Sequence, residues 1–172
     1  MQNARHPKTH RELCELACRF LRNNGFKVVF GDRFHAWTPC GEHPDALGFR
    51  NGASCLIEVK CSRSDFLADR KKVFRAESEK GMGDWRFYLC EPGVITVDDL
   101  PAGWGLLYVI NGRVRKVHGW PGNHQWVVTV AKPFRANKQA ECDYLFSALR
   151  RLEIRAVTEN GADADRVQTY GL

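Results

Sequence analysis

Two acidic residues stand at positions where a tight hairpin would bring them together. Two runs typical of strands, 45–50 and 53–60, are separated by Asn51-Gly52, and this dipeptide is the strongest short signal for a hairpin turn. With Asn51-Gly52 in the turn, Asp45 lies directly opposite Glu58, and opposed residues project to the same side of a sheet. The sequence therefore predicts two carboxylates that face each other at the open end of the hairpin.

Such a pair of carboxylates is suited to hold a divalent cation. At about 4 Å they would repel by roughly 4 kcal/mol at an effective dielectric of about 20. Oxygens of Asp45 and Glu58, with the Val59 carbonyl, form the shell that Mg²⁺ or Mn²⁺ prefers. Lys60 projects to the same side as Glu58. It would orient or deprotonate an attacking water and offset the charge that develops on a phosphate.

Each of these residues also has an ordinary structural interpretation. Asp45 follows Pro44 and can cap the start of a strand, while Glu58 and Lys60 can form a charge pair on an exposed face. The neighbouring positions favour burial, because both sides of the hairpin are otherwise apolar. The apolar residues are Leu47, Phe49 and Leu56 on the side of the acids, and Ala46, Cys55, Ile57 and Val59 on the other.

The rest of the pattern predicts a single α/β domain over residues 1–158, with a mixed central sheet flanked by helices. A capping box of Thr9 and Glu12 begins a first helix, which Asn24-Gly25 ends. A polar tail is expected over 159–172. The other predicted elements are a strand at 26–30, a helix from Ser62 to about Glu77 with Leu67 and Val73 inward, strands at 85–90, 105–110, 113–118 and 125–130, and a helix over 137–157 with Leu149 and Leu152 inward.

Composition and charge narrow the classes of function. The 172 residues carry a formal net charge of +6, which suits a polyanionic partner without establishing one. Seven cysteines without paired spacing indicate free thiols in a reducing cytoplasm. No membrane-length apolar run, export signal or nucleotide-cofactor fingerprint occurs, so neither a membrane nor an organic cofactor is expected.

Basic residues follow the strand that carries Glu58 and Lys60. On a helix face they would contact phosphates, and binding would depend on salt. The alternative is a solvated surface, because Asp65 and Asp69 alternate with the cations as helix-stabilising pairs do. The basic residues are Arg63, Arg70, Lys71, Lys72 and Arg75.

Pro44-Asp45, twelve intervening residues and Glu58-Val59-Lys60 resemble the signature of the PD-(D/E)xK nuclease superfamily. The following stretch, 62–71, is similar to small bacterial DNA-repair proteins of the MmcB type and their phage relatives. The resemblance implies a restriction-endonuclease-like core, a metal held by Asp45 and Glu58, and Lys60 in water activation. It also implies a metal-binding glutamate on the first helix, for which Glu12 is the candidate, although the capping box is the favoured explanation of Glu12.

We therefore expect a cytoplasmic, Mg²⁺- or Mn²⁺-dependent deoxyribonuclease, an endonuclease acting in DNA repair or phage DNA metabolism. Its partner would be DNA, and two copies could assemble to cut both strands. A DNA-binding module that keeps the nuclease scaffold without cutting is the alternative function. An RNA-directed enzyme on the same scaffold is a third.

Overall fold

A six-stranded mixed sheet forms the centre of the protein in the computed structural model, which describes the backbone of residues 8–168 and the side chains of 8–156 and 158. Strands follow one another across the sheet in chain order. The two central pairings, β3 with β4 and β4 with β5, are parallel and the rest antiparallel. The main elements are α1 His10–Asn23, β1 Val28–Gly31, β2 Ala46–Arg50, β3 Ala53–Val59, α2 Arg63–Asp69, α3 Val73–Ala76, β4 Trp85–Cys90, β5 Trp104–Ile110, β6 Arg113–His118 and α4 Lys138–Gln168.

The predicted hairpin is confirmed with its register. Arg50 faces Ala53 and Leu47 faces Leu56, and Gly52 adopts the positive φ of +69° that the turn requires. Every residue of β3 is buried, because helices cover both faces of the sheet. The predicted mixed sheet flanked by helices is thus confirmed.

The two faces of the sheet carry separate apolar cores. Helix α1 packs on one face through Leu13, Ala17 and Leu21, which recur every four residues on one side of the helix. Helices α2 and α4 cover the other face, with Phe66 and Tyr144 in contact with the strands. All seven cysteines are free. No helix within the described residues is long and apolar enough to cross a membrane.

The predicted single helix from Ser62 to Glu77 is wrong, because it is interrupted between α2 and α3. Lys72 has an extended backbone, with φ −69° and ψ 138°. In a continuous helix, Asp69 and Arg75 would point about 120° away from each other. The interruption lets both side chains enter the interior and pair at 2.9 Å. It also leaves Leu67 and Val73, which were expected inward, exposed.

Two further predictions differ from the structure near the C-terminus. The expected strand over 125–130 consists of two 3₁₀ turns, in which Trp126 alone anchors the segment while Val130 is 94% exposed. Helix α4 continues to Gln168 rather than ending before a tail at 159. Leu149 and Leu152, which were expected inward, are 64% and 60% exposed.

Candidate active site

Glu58 and Lys60 lie together in the interior, at the end of the central strand β3. Their side chains are 3% and 4% exposed, on the face that α2 covers. Lys60 Nζ is 3.3 Å from Glu58 Oε2 and 3.4 Å from Asp69 Oδ1. The interpretation of an exposed charge pair is therefore wrong, since one buried ammonium joins two buried carboxylates.

Arg75 is the main correction to the sequence-based picture. We expected it on the outer, DNA-facing side of a helix, but its side chain is 4% exposed. It joins Glu58, Lys60 and Asp69 in one buried charge cluster. Its guanidinium bonds Glu42, lies 2.9 Å from Asp69 Oδ2 and 3.0 Å from Glu58 Oε1. The repulsion expected between Asp45 and Glu58 therefore does not by itself require a cation, because Arg75 and Lys60 compensate the charge of Glu58.

Further groups hold this cluster in place. Glu42 is fully buried, and its second oxygen accepts a hydrogen bond from the Met82 backbone N–H at 2.6 Å. Asp69 accepts one from the Tyr88 hydroxyl at 3.0 Å and pairs with Lys72 Nζ at 2.8 Å. Sequence reasoning missed Glu42 and Tyr88 altogether. Asp69 had a signal, since it belongs to the stretch that resembles the DNA-repair proteins.

The environment sets the charge state of each group. Burial raises the pKa of Glu58 to about 7, against the opposing charges of Arg75 and Lys60. Burial also opposes the charged form of Lys60, but the charges of Glu58 and Asp69 outweigh it and raise the pKa of Lys60. Burial by itself would raise the pKa of Asp69, but the charges of Arg75 and Lys60 outweigh it and hold this pKa well below the usual range. Near neutral pH, Lys60 and Asp69 are therefore charged while Glu58 is poised to exchange a proton.

Asp45 stands directly before β2 and has its own partners. Its Oδ2 accepts a hydrogen bond of 2.8 Å from the Val59 N–H, and its Oδ1 lies 3.2 Å from His10 Nε2. Through the first contact Asp45 binds the end of β3, whereas the alternative interpretation placed it as a cap at the start of its own strand. Its charge still acts on Glu58, whose pKa it raises further. Asp45 thus adjoins the buried cluster while its hydrogen bonds go to α1 and to the backbone.

The α1 residue that reaches Asp45 is His10, not Glu12. Glu12 is exposed, and its carboxylate accepts hydrogen bonds from the Thr9 N–H and hydroxyl at 2.7 and 2.8 Å, so the capping interpretation holds. The hydrogen bond to Asp45 raises the pKa of His10. Cys14 lies one helical turn further on, with its Sγ 3.5 Å from His10 Nδ1.

Two donor sets at this end of the sheet differ in the ions they suit. Asp45 and Glu58 offer carboxylate oxygens, the hard donors that Mg²⁺ and Mn²⁺ prefer. Glu58 Oε1 has no hydrogen bond among the described residues but lies 3.0 Å from the Arg75 guanidinium, which a cation there would have to displace. His10, Cys14 and Asp45 place one donor atom each within 4.8 Å of one another, a mixed set that suits a softer ion.

The basic face predicted for α2 is much reduced in the structure. Arg63 pairs with Asp99 through both guanidinium nitrogens. Lys72 is bound to the buried Asp69. With Arg75 in the interior, Arg70 and Lys71 are the members of the predicted set left exposed without an ion pair in the described structure.

Comparisons with known proteins bear on the architecture alone. No protein-family model and no curated protein matches the chain. Among solved structures, it is similar to a protein of unknown function from Silicibacter pomeroyi, with a TM-score of 0.58 and 25% identity over 91% of this chain and 95% of that one. This likeness supports the α/β fold and assigns no activity.

Proposed function

We propose that the protein is a metal-dependent nuclease with a restriction-endonuclease-like core, which hydrolyses phosphodiester bonds of DNA. The observation that carries the proposal is the buried group of Glu58, Lys60 and Asp69 at the end of β3, beside Asp45. Burying several charges costs free energy and contributes little net stability. Charges concentrated at the end of a central strand are therefore better explained by chemistry than by stability.

In this proposal Asp45 and Glu58 hold Mg²⁺ or Mn²⁺, with the Val59 carbonyl as a further ligand. A bound ion supplies polarisation of a phosphoryl oxygen and a more acidic water. Lys60 keeps its proton because its pKa is raised. It therefore acts by offsetting negative charge on the phosphate and by orienting water, rather than as the base that deprotonates it.

Arg75 supports a second candidate function, a DNA-binding module on the same scaffold that does not cut. Its guanidinium already lies 3.0 Å from Glu58 Oε1 and neutralises it. For Glu58 to bind a cation, Arg75 must give up this contact. A protein that keeps Arg75 in place retains a stable, charge-balanced interior without catalysis.

Cleavage assays separate the two candidates. Purified protein is incubated with plasmid, single-stranded and branched DNA in Mn²⁺, Mg²⁺ or EDTA. The nuclease proposal expects cleavage with metal, and a loss of about 100-fold or more in Glu58→Gln and Lys60→Met. The matched control is Glu141→Gln, an equally buried acid at 4% exposure that binds the Gly83 N–H and Lys138 and makes no contact with Glu58, Lys60 or Asp69 in the described structure. It is expected to cleave normally.

Thermal unfolding of each variant shows whether a loss of cleavage reflects loss of the fold. DNA binding that persists in EDTA, with no cleavage of any substrate by the folded wild-type protein, rejects the nuclease and favours the binding module.

A further inference from the structure

An open groove of about 810 Å³ lies at the edge of the sheet, over strand β1. Helix α1 forms one wall and α4 the other, because the helices that cover opposite faces of the sheet meet at this edge. The segment from Val29 to Phe34 forms the floor. A concave surface of this kind concentrates the field of the charges that line it.

The charges lining the groove are mainly positive. The two acidic side chains are Glu15, which is paired with Arg11 at 3.2 Å, and Asp32. Against them stand five exposed arginines, and a guanidinium matches the geometry of a phosphate with two parallel hydrogen bonds. The arginines are Arg19, Arg22, Arg33, Arg151 and Arg155.

Three of these arginines are available for a ligand. Arg22 and Arg151 donate to the backbone carbonyls of Val29 and His35. In the part of the chain that the structure describes, Arg19, Arg33 and Arg155 form neither a hydrogen bond nor an ion pair with another side chain. Their charges point into one groove without a partner from the protein.

Aromatic rings accompany the arginines. Phe30 and Phe34 are half-buried and stacked at 4.5 Å between ring centroids, and both line the groove. Arg151 lies over the Phe34 ring at 4.7 Å. Cationic and aromatic side chains occur together in sites for single strands. Here both rings also pack on Tyr144, so the arginines are the groups left to contact a bound strand.

The groove is joined to the candidate active site through side chains of α1. Cys14 lines the groove, and its Sγ is 3.5 Å from His10 Nδ1. His10 in turn lies 3.2 Å from Asp45. Two contacts through the buried Cys14 thus separate the groove from Asp45, and a strand held in the groove would lie on the same side of α1 as this chain of contacts.

We propose that this arginine groove binds the sugar-phosphate backbone of single-stranded DNA, in place of the α2 face that the sequence indicated. This inference rests on DNA as the partner, which both functions proposed above share. It does not depend on whether the protein cuts.

The test compares two triple variants that remove the same charge. The groove variant is Arg19→Gln, Arg33→Gln and Arg155→Gln. The control carries Lys27→Gln, Arg115→Gln and Arg135→Gln, exposed positions outside the groove. Binding of a fluorescent single-stranded oligonucleotide is measured by anisotropy in EDTA at several salt concentrations.

Each phosphate contact to a single strand contributes about 0.7 to the slope of log affinity against log salt. Loss of three contacts therefore lowers the slope by about 2 and weakens binding by about 100-fold at about 0.1 M salt. The control is expected to stay within a few-fold of the wild-type protein.

Several results overturn the groove proposal. One is an equal loss of affinity for the oligonucleotide in both triple variants, and another is unchanged affinity in the groove variant. A loss of affinity caused instead by Arg70→Gln with Lys71→Gln would also overturn it, as would tighter binding of duplex than of single-stranded DNA by the wild-type protein. The nuclease proposal fails separately. A wild-type protein that never cleaves, but whose groove variant loses DNA binding, supports the groove and rejects the nuclease.

Discussion

Replacing Arg75 by methionine tests the electrostatic account of the buried cluster. Methionine keeps much of the side-chain volume but removes the guanidinium from Glu42, Glu58 and Asp69, all of which are at most 3% exposed. Removing one partner of a buried ion pair costs about 3–5 kcal/mol, because an uncompensated charge is left behind. We expect Arg75→Met to lower the free energy of unfolding by about 4 kcal/mol near neutral pH.

The loss should depend on pH in one direction. Burial raises the pKa of Glu58 from 4.5 to about 7, so folding takes up a proton between these two values. In the wild-type protein the stabilisation that comes from this proton uptake is fully present below pH 4.5. It falls by about 3 kcal/mol as the pH rises to about 7. Without the charge of Arg75 the pKa of Glu58 rises further. The cost of Arg75→Met should therefore be smaller at about pH 5.5 than at about pH 8.

Urea unfolding followed by circular dichroism at both pH values measures these differences. Arg70→Met is the matched control, an exposed arginine in the same segment, and its effect should stay within about 0.5 kcal/mol. Adding Glu58→Gln to Arg75→Met removes one stranded charge and should recover part of the loss. An Arg75→Met protein within about 1 kcal/mol of wild type, or a cost that grows in acid, would refute the reasoning.

Two other predictions concern packing and thiol chemistry. Gly83 has a φ of +86°, and a Cβ there would meet a side chain of β3 at 2.7 Å, so Gly83→Ala should cost about 2 kcal/mol or more in urea unfolding. Gly93 is the matched control, since it has a φ of +91° but open space around it. Gly93→Ala should lower the free energy of unfolding only by the backbone strain of about 1 kcal/mol. An equal loss of stability in both variants would contradict the clash at Gly83. Alkylation of the folded protein, followed by mass spectrometry, should modify the exposed Cys61 and Cys142 but not the buried Cys90, because burial raises the pKa of Cys90 to about 11. Rapid labelling of Cys90 would show that its strand opens.

Local signals in the sequence were sufficient for the elements that frame the candidate site. The dipeptide Asn51-Gly52 determines the hairpin register, because its two residues fill the turn and so fix which residues face each other. A shift by one residue would turn Glu58 and Lys60 away from Asp69. Thr9 and Glu12 determine the start of α1 through their reciprocal hydrogen bonds. Both signals act between neighbours in the chain, so no distant residue was needed to recognise them.

The partners of the buried charges were decided by the tertiary structure alone. Arg75, Asp69 and Glu42 come from three segments, and each has the spacing and polarity of a surface residue. A charged side chain enters the interior only when opposite charges from elsewhere in the chain offset its desolvation. The interruption before α3 turns Arg75 toward the opposite charges of Glu42, Glu58 and Asp69. Whether the chain gains free energy by breaking the helix there depends on these contacts, which are far apart in sequence. For this reason the hairpin followed from the sequence, whereas the neutralisation of its carboxylates required the folded chain.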